Sequence, residues 1–138
     1  MKTWLVDTGP FVAYLDRRDP QHQAVADTLE TFTGQLATTG AIVTEVMYFL
    51  SDVDGGPAAF AELLLESETR LVNLTTADEI LAAARLMERY ADTPMDYADA
   101  TLVLLAEELA VTDVLTLDRR GFATYRTSKG KPFRLALP

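Results

Sequence analysis

Short apolar runs alternate with stretches whose apolar residues recur at helical spacing. Lys2–Val6 is a run that stops at Asp7 and predicts a strand. Pro10–Asp16 predicts a helical turn with proline near its start. Across Pro20–Phe32, Val25, Leu29 and Phe32 fall on one helical face. Leu36–Thr38 reads as a brief strand, and Ala41–Leu50, apolar at Ile42, Val46, Phe49 and Leu50, as a helix. Asp54-Gly-Gly-Pro57 breaks the chain before a helix over Ala58–Glu66 and a strand over Arg70–Leu74. Thr76-Ala-Asp-Glu79 is a capping box that opens a helix running to Tyr90. Thr93-Pro94 predicts a further start, with Thr93 as N-cap, Pro94 at the first helical position and Asp96 at the third; that helix runs to Leu109. Asp113–Leu117 and Phe133–Leu137 complete the strands. Strands separated by helices predict an α/β domain, a mostly parallel sheet with helices on both faces. No linker or repeat interrupts the pattern, so residues 1–138 read as one domain. In such sheets ligands bind beyond the carboxyl ends of the strands.

Composition narrows the chemistry. Of 138 residues, 49% are apolar, too many for a disordered tail. The seven glycines and six prolines are scattered, which excludes a collagen-like chain. No apolar run approaches the roughly 20 residues that span a bilayer, and Asp7 comes too early for the apolar core of a signal peptide. The expectation is a soluble, cytoplasmic protein with no membrane partner. With no cysteine, disulfides and thiolate chemistry are excluded, and with His22 alone so are histidine-rich zinc sites and a well-placed catalytic triad.

The charge is uneven. The chain carries 12 basic and 21 acidic residues, a formal −9. Six of the basic residues (Arg119, Arg120, Arg126, Lys129, Lys131 and Arg134) lie in a tail without acids. An acidic body repels nucleic acid, unless metal ions neutralise it and the basic tail assists. Equally, the tail charges serve simply to keep a surface segment soluble.

The acidic residues stand where the sheet rule points. Asp7 ends the first strand, and Asp118 follows Val114-Leu-Thr-Leu117. Asp96 and Asp99, three apart, share a helix face. Glu45 sits among Ile42, Val43, Val46 and Met47, where a carboxylate is costly unless paired or bound to metal. Each has a plainer reading: Asp7 as a turn residue, Asp96 as a favourable charge at a helix start, Asp118 as a cap or surface ion pair, Glu45 as a solvated residue, and Asp99 as a polar residue on an otherwise apolar stretch. Their common placement at one sheet edge favours a joint role. Oxygen-only ligands suit Mg²⁺, or Mn²⁺ in its place. Such an ion activates water for attack on phosphorus with no histidine as base. A phosphate-binding loop, a dinucleotide fingerprint and a nucleophile elbow are all absent: Gly130-Lys131 runs into Pro132, only Gly9 follows the first strand, and no Gly-x-Ser-x-Gly occurs.

Leu5-Val6-Asp7-Thr8-Gly9, Thr44-Glu45, Met95-Asp96-Tyr97-Ala98-Asp99-Ala100 and Leu115-Thr116-Leu117-Asp118-Arg119-Arg120-Gly121-Phe122 occur in this order and spacing. The set resembles the PIN-domain ribonucleases, and among them the VapC-type toxins of type II toxin–antitoxin pairs. The resemblance spans nearly the whole chain. It implies a three-layer α/β/α sandwich and Mg²⁺- or Mn²⁺-dependent endonucleolytic cleavage of RNA. It further implies Asp7 and Asp99 as main metal ligands, Glu45 as the third acid and Asp118 as the fourth. Asp96 would be a supporting acid, and Thr8 and Thr116 would orient carboxylates or a water. Thr8-Gly9 departs mildly from the Ser or Asn that follows the first Asp in many relatives. Arg17, Arg18, Arg119 and Arg120 would hold the RNA backbone. The usual partners would be a small antitoxin that blocks the site and a second copy of the chain. Trp4, Phe11, Phe49, Phe60 and Tyr90 are the candidates for the dimer face, and each is equally a core residue.

Three other readings are weighed beside this one. The first is a binding module on the same scaffold without turnover. The second is a housekeeping RNA-processing nuclease. The third is a phosphoacceptor domain, which requires a lysine after a late strand; Lys129 and Lys131 instead precede the last one.

Overall fold

The computed structural model describes residues 1–137. Among them the order of elements is β1 (Thr3–Val6), α1 (Thr8–Leu15), α2 (His22–Thr31), β2 (Gln35–Thr39), α3 (Gly40–Phe49), α4 (Gly56–Glu66), β3 (Arg70–Val72), α5 (Ala77–Arg89), α6 (Tyr97–Leu109), β4 (Asp113–Leu115), α7 (Arg119–Thr124) and β5 (Arg134–Leu135). The five strands form one sheet in the order β3-β2-β1-β4-β5, and every pair is parallel. From β1 the chain steps one way to β2 and β3, then crosses back to β4 and β5. Right-handed crossovers therefore send the helices of the two halves to opposite faces. This is the α/β sandwich that the alternating pattern predicts.

Register decides what meets at the reversal. Val6 is aligned with Leu115, and the Asp7 N–H donates to the Leu115 carbonyl at 3.0 Å. The carboxyl ends of β1 and β4 thus lie side by side, at the point where strand order reverses. A crevice opens there in folds of this kind.

The core is apolar and continuous. Leu5, Phe11, Phe60, Leu102, Leu105, Leu115, Phe122 and Tyr125 are fully buried. Helix α6 buries residues all round its circumference, from Ala98 through Leu102 to Ala106, as an interior helix must. Four of the five aromatic residues named as possible dimer contacts belong to this packing. Phe11 and Phe60 meet edge-on at 5.1 Å, Trp4 stacks on Phe32 at 3.9 Å and Tyr90 meets Tyr125 edge-on at 5.1 Å. Only Phe49 is exposed.

The start of α6 differs from the sequence expectation. Asp96, not Thr93, is the N-cap, and Pro94 lies outside the helix. The Asp96 carboxylate accepts from the Asp99 N–H at 2.7 Å, and the Asp99 carboxylate accepts from the Asp96 N–H at 3.1 Å. This reciprocal box satisfies two otherwise unpaired donors, where Thr93 with Pro94 offers one. The competing start is also held open from outside. Met95 is buried and the Pro94 carbonyl accepts from the Tyr125 hydroxyl at 2.7 Å. Strand ends differ slightly: β4 and β5 stop at Leu115 and Leu135, short of Leu117 and Leu137.

The capping box at α5 forms as expected, with Thr76 accepting from the Glu79 N–H and Glu79 from the Thr76 N–H. Thr76→Ala is expected to cost about 1 kcal/mol, read as a lower denaturant midpoint at unchanged slope.

Candidate active site

Four chain segments converge beyond the ends of β1 and β4, and helix termini position most of the acids. Asp7 is the N-cap of α1, Asp96 of α6 and Asp118 of α7. The positive ends of three helix dipoles therefore point at one set of carboxylates and ease their mutual repulsion. The cap reading of Asp118 is thus structurally true, and Asp7 caps a helix rather than a turn. Neither cap competes with a functional role, because the cap is what aims the side chain.

A relay of hydrogen bonds ties these segments together. The Asp118 N–H donates to Thr116 Oγ1 at 2.9 Å, and the Thr116 hydroxyl donates to Asp7 Oδ2 at 2.7 Å. The Thr8 N–H donates to Asp7 Oδ1 at 2.8 Å, and the Thr8 hydroxyl donates to Glu45 Oε1 at 2.8 Å. Asp118 Oδ1 accepts from the Gly121 N–H at 3.0 Å. Gly121 is required here, since a Cβ at that position would overlap Asp118 Oδ2.

Asp7, Glu45, Asp96, Asp99 and Asp118 line one open cleft of about 410 Å³, together with Thr8, Gly9, Val12, Asp19, Phe49 and Leu117. All five acids named from the sequence are therefore brought together. The arginines are not. Arg17, Arg18, Arg119 and Arg120 are exposed and lie outside the cleft lining. Arg18 pairs with Asp16 at 3.1 Å, and Arg119 donates to the Leu137 carbonyl at 3.0 Å. Lys129 and Lys131 line a different pocket beside Glu107, which removes the lysine a phosphoacceptor site requires. Asp19 and Phe49 join the cleft without being named for it from the sequence. Asp19 arrives through the α1–α2 turn, and nothing in the local pattern signals it. Phe49 follows Glu45 by one helical turn, so the i, i+4 spacing carries a signal for it.

Electrostatics show how strained the cluster is without a counter-charge. Asp7 is only 6% exposed. Burial raises its carboxyl to about 6 against the Thr116 and Thr8 hydrogen bonds, and the Asp96 and Asp118 charges add to the rise. Burial, then the Asp7 and Asp96 charges, push Asp99 up to about 8. Glu45 is raised by burial, with the Thr8 hydroxyl opposing and Asp96 adding to it. The two ion pairs among the described residues, Arg18–Asp16 and Arg134–Asp113, leave all five acids without a basic partner. An uncompensated, partly buried, all-oxygen donor set fits a hard divalent cation. Among the described residues no group of three or more Asp, Glu or His side chains is placed so as to hold a metal ion. Asp99 is turned back onto the Asp96 N–H and Glu45 onto Thr8, so each carboxylate occupies itself with a neighbouring donor.

A parallel α/β sandwich with an acidic cleft at its strand reversal is the arrangement that the resemblance to PIN domains implies. The PIN domain family matches residues 4–127, and the chain belongs to that family. Within it the chain stands with the VapC-type ribonucleases. It is 34% identical over 131 residues to Ribonuclease VapC26 of Mycobacterium tuberculosis, covering 94% of this chain and 96% of that protein. The fold is also that of the crystal structure of Mycobacterium tuberculosis VapC20, described as a Sarcin-Ricin loop cleaving toxin, with a TM-score of 0.76 at 19% identity. That match covers 86% of this chain and 91% of the other. No helix among the described residues is long and apolar enough to cross a membrane.

Proposed function

We propose that this chain, acting as a single PIN domain over residues 1–138, is a divalent-metal-dependent endoribonuclease and the toxin of a type II toxin–antitoxin pair, working in the cytoplasm where its RNA substrate is. The observation that carries the chemistry is the convergence of Asp7, Glu45, Asp96, Asp99 and Asp118 on one cleft without a basic partner.

Asp7, Asp99 and Asp118 would hold Mg²⁺, with Mn²⁺ as substitute, and Glu45 would complete the acidic set. The bound ion supplies charge neutralisation and activation of water for phosphodiester hydrolysis. The chain's own groups do the positioning. Thr116 holds Asp7 from one side and the Asp118 backbone from the other, and Thr8 joins Asp7 to Glu45. Asp96 anchors Asp99 at the start of α6, and Asp99 would hold the ion through the carboxylate that now accepts from the Asp96 N–H. Arg17, Arg18, Arg119 and Arg120, outside the cleft, would meet the RNA backbone away from the cut.

Orienting groups behind a metal ligand typically contribute 10–100-fold in metal affinity or activity. Thr116→Val, which keeps the shape and removes the hydroxyl, is therefore expected to raise the Mn²⁺ concentration for half-maximal cleavage by about 10–100-fold. Cleavage of labelled RNA with Mg²⁺, and its loss in EDTA, tests the enzyme reading against a binding module without turnover. A small antitoxin and a second copy of the chain are the expected protein partners. A short gene beside this one, whose product co-purifies with the chain and suppresses cleavage, separates a toxin from a housekeeping RNA-processing nuclease.

A further inference from the structure

We infer that Phe49 is a stacking platform for an unpaired RNA base beside the acidic cleft, and so contributes to substrate affinity there; this rests on the ribonuclease reading above. Phe49 is 53% exposed and its neighbour Tyr48 is 73% exposed. Large aromatic rings at that exposure forfeit burial that the core gives Phe11 and Phe60. The two rings support each other edge-on, with centroids 5.5 Å apart. Phe49 lies one helical turn beyond Glu45 on α3, and both line the same cleft. The apolar side chains of Val12 and Leu117 line it too. An apolar wall, with Phe49 as its aromatic member, is therefore continuous with the carboxylates that would face the scissile phosphate.

The charge balance explains why such a wall is needed. Residues 1–118 hold six basic against 21 acidic residues, and no arginine or lysine lines the cleft. A polyanion gains little here from a basic groove. Stacking on an aromatic face is indifferent to that charge, contributes substantially per base, and requires the base to be free of a duplex.

The test pairs cleavage of an unstructured oligoribonucleotide with binding of the same strand carrying 2-aminopurine, whose fluorescence is quenched on stacking. Phe49→Ala is expected to raise KM by about 5- to 150-fold with kcat little changed, and to abolish quenching. Phe49→Trp retains both, Phe49→Leu restores neither, and Leu65→Ala, an equally simple truncation of an exposed apolar side chain on α4, leaves KM as it was. Wild-type KM and quenching in both Phe49→Ala and Phe49→Leu would overturn the inference. So would Phe49→Ala that keeps KM but turns a dimer into a monomer, which assigns the ring to a second copy of the chain. If the wild type cleaves no RNA with Mn²⁺ yet quenches the probe through Phe49, the nuclease reading fails and the stacking platform stands.

Discussion

Asp7→Asn is expected to lower divalent-dependent RNA cleavage by at least about a thousandfold, because on the proposed function it removes a carboxylate that would hold the metal, and with it several kcal/mol of charge stabilisation. The same variant is expected to fold. Asn matches Asp in shape, its amide oxygen can take the Thr8 N–H, and its amide N–H can donate to Thr116 Oγ1, whose own hydroxyl hydrogen turns away. Circular dichroism and gel filtration unchanged from wild type, beside single-turnover cleavage at background, is the expected pair of results. Cleavage near the wild-type rate in Asp7→Asn would remove Asp7 from the chemistry, whatever became of the other acids.

The second large effect is thermodynamic. Asp7 is raised to about 6 from the usual 3.8, so between these values the native state holds a proton that the unfolded chain has released. Stability then falls as pH rises through this window, since the native state binds more protons than the unfolded one. The stabilising contribution is full below about 4 and is lost above about 6. Two pH units at 1.36 kcal/mol each amount to about 3 kcal/mol. Asp7→Asn carries no such proton, so its stability relative to wild type should increase by up to about 3 kcal/mol between pH 4 and pH 7 in EDTA. Asp99, pushed up to about 8, extends the wild-type decline to higher pH. On the proposed function Mn²⁺ would compete with these protons for the same carboxylates. Added Mn²⁺ is therefore expected to raise the wild-type melting temperature strongly at pH 8, hardly at pH 5, and to do little for Asp7→Asn. A difference between wild type and Asp7→Asn that stays flat with pH would mean that Asp7 is charged in the fold at no cost.

Both expectations begin from residues visible in the linear chain. An apolar run that stops at Asp7, and another that stops just before Asp118, place two acids at strand ends because strand and cap chemistry are local. The capping box at Thr76 is legible for the same reason. The start of α6 was not, although both of its competing caps are local. Thr93-Pro94 and Asp96-x-x-Asp99 each make a credible N-terminus, and the choice rests partly on burial of Met95 and the Tyr125 hydroxyl on the Pro94 carbonyl. Tyr125 lies 31 residues away along the chain. The pattern also told Phe11 and Phe60 from surface residues no better than it told Phe49, since all three are aromatic residues at helical positions. Only packing separates them.

By itself, then, the sequence determined the alternation of strands and helices, the acidic residue types, their order, and the exclusion of thiol and histidine chemistry. The tertiary structure decided that β1 lies beside β4, which brings Thr116 to Asp7 across 109 residues of chain. It also decided that Asp19 and Phe49 enter the cleft while the arginines stay outside. The reason is the range of the forces. Periodicity and capping act over one or two turns of chain, whereas strand order is settled by burying the whole apolar surface at once.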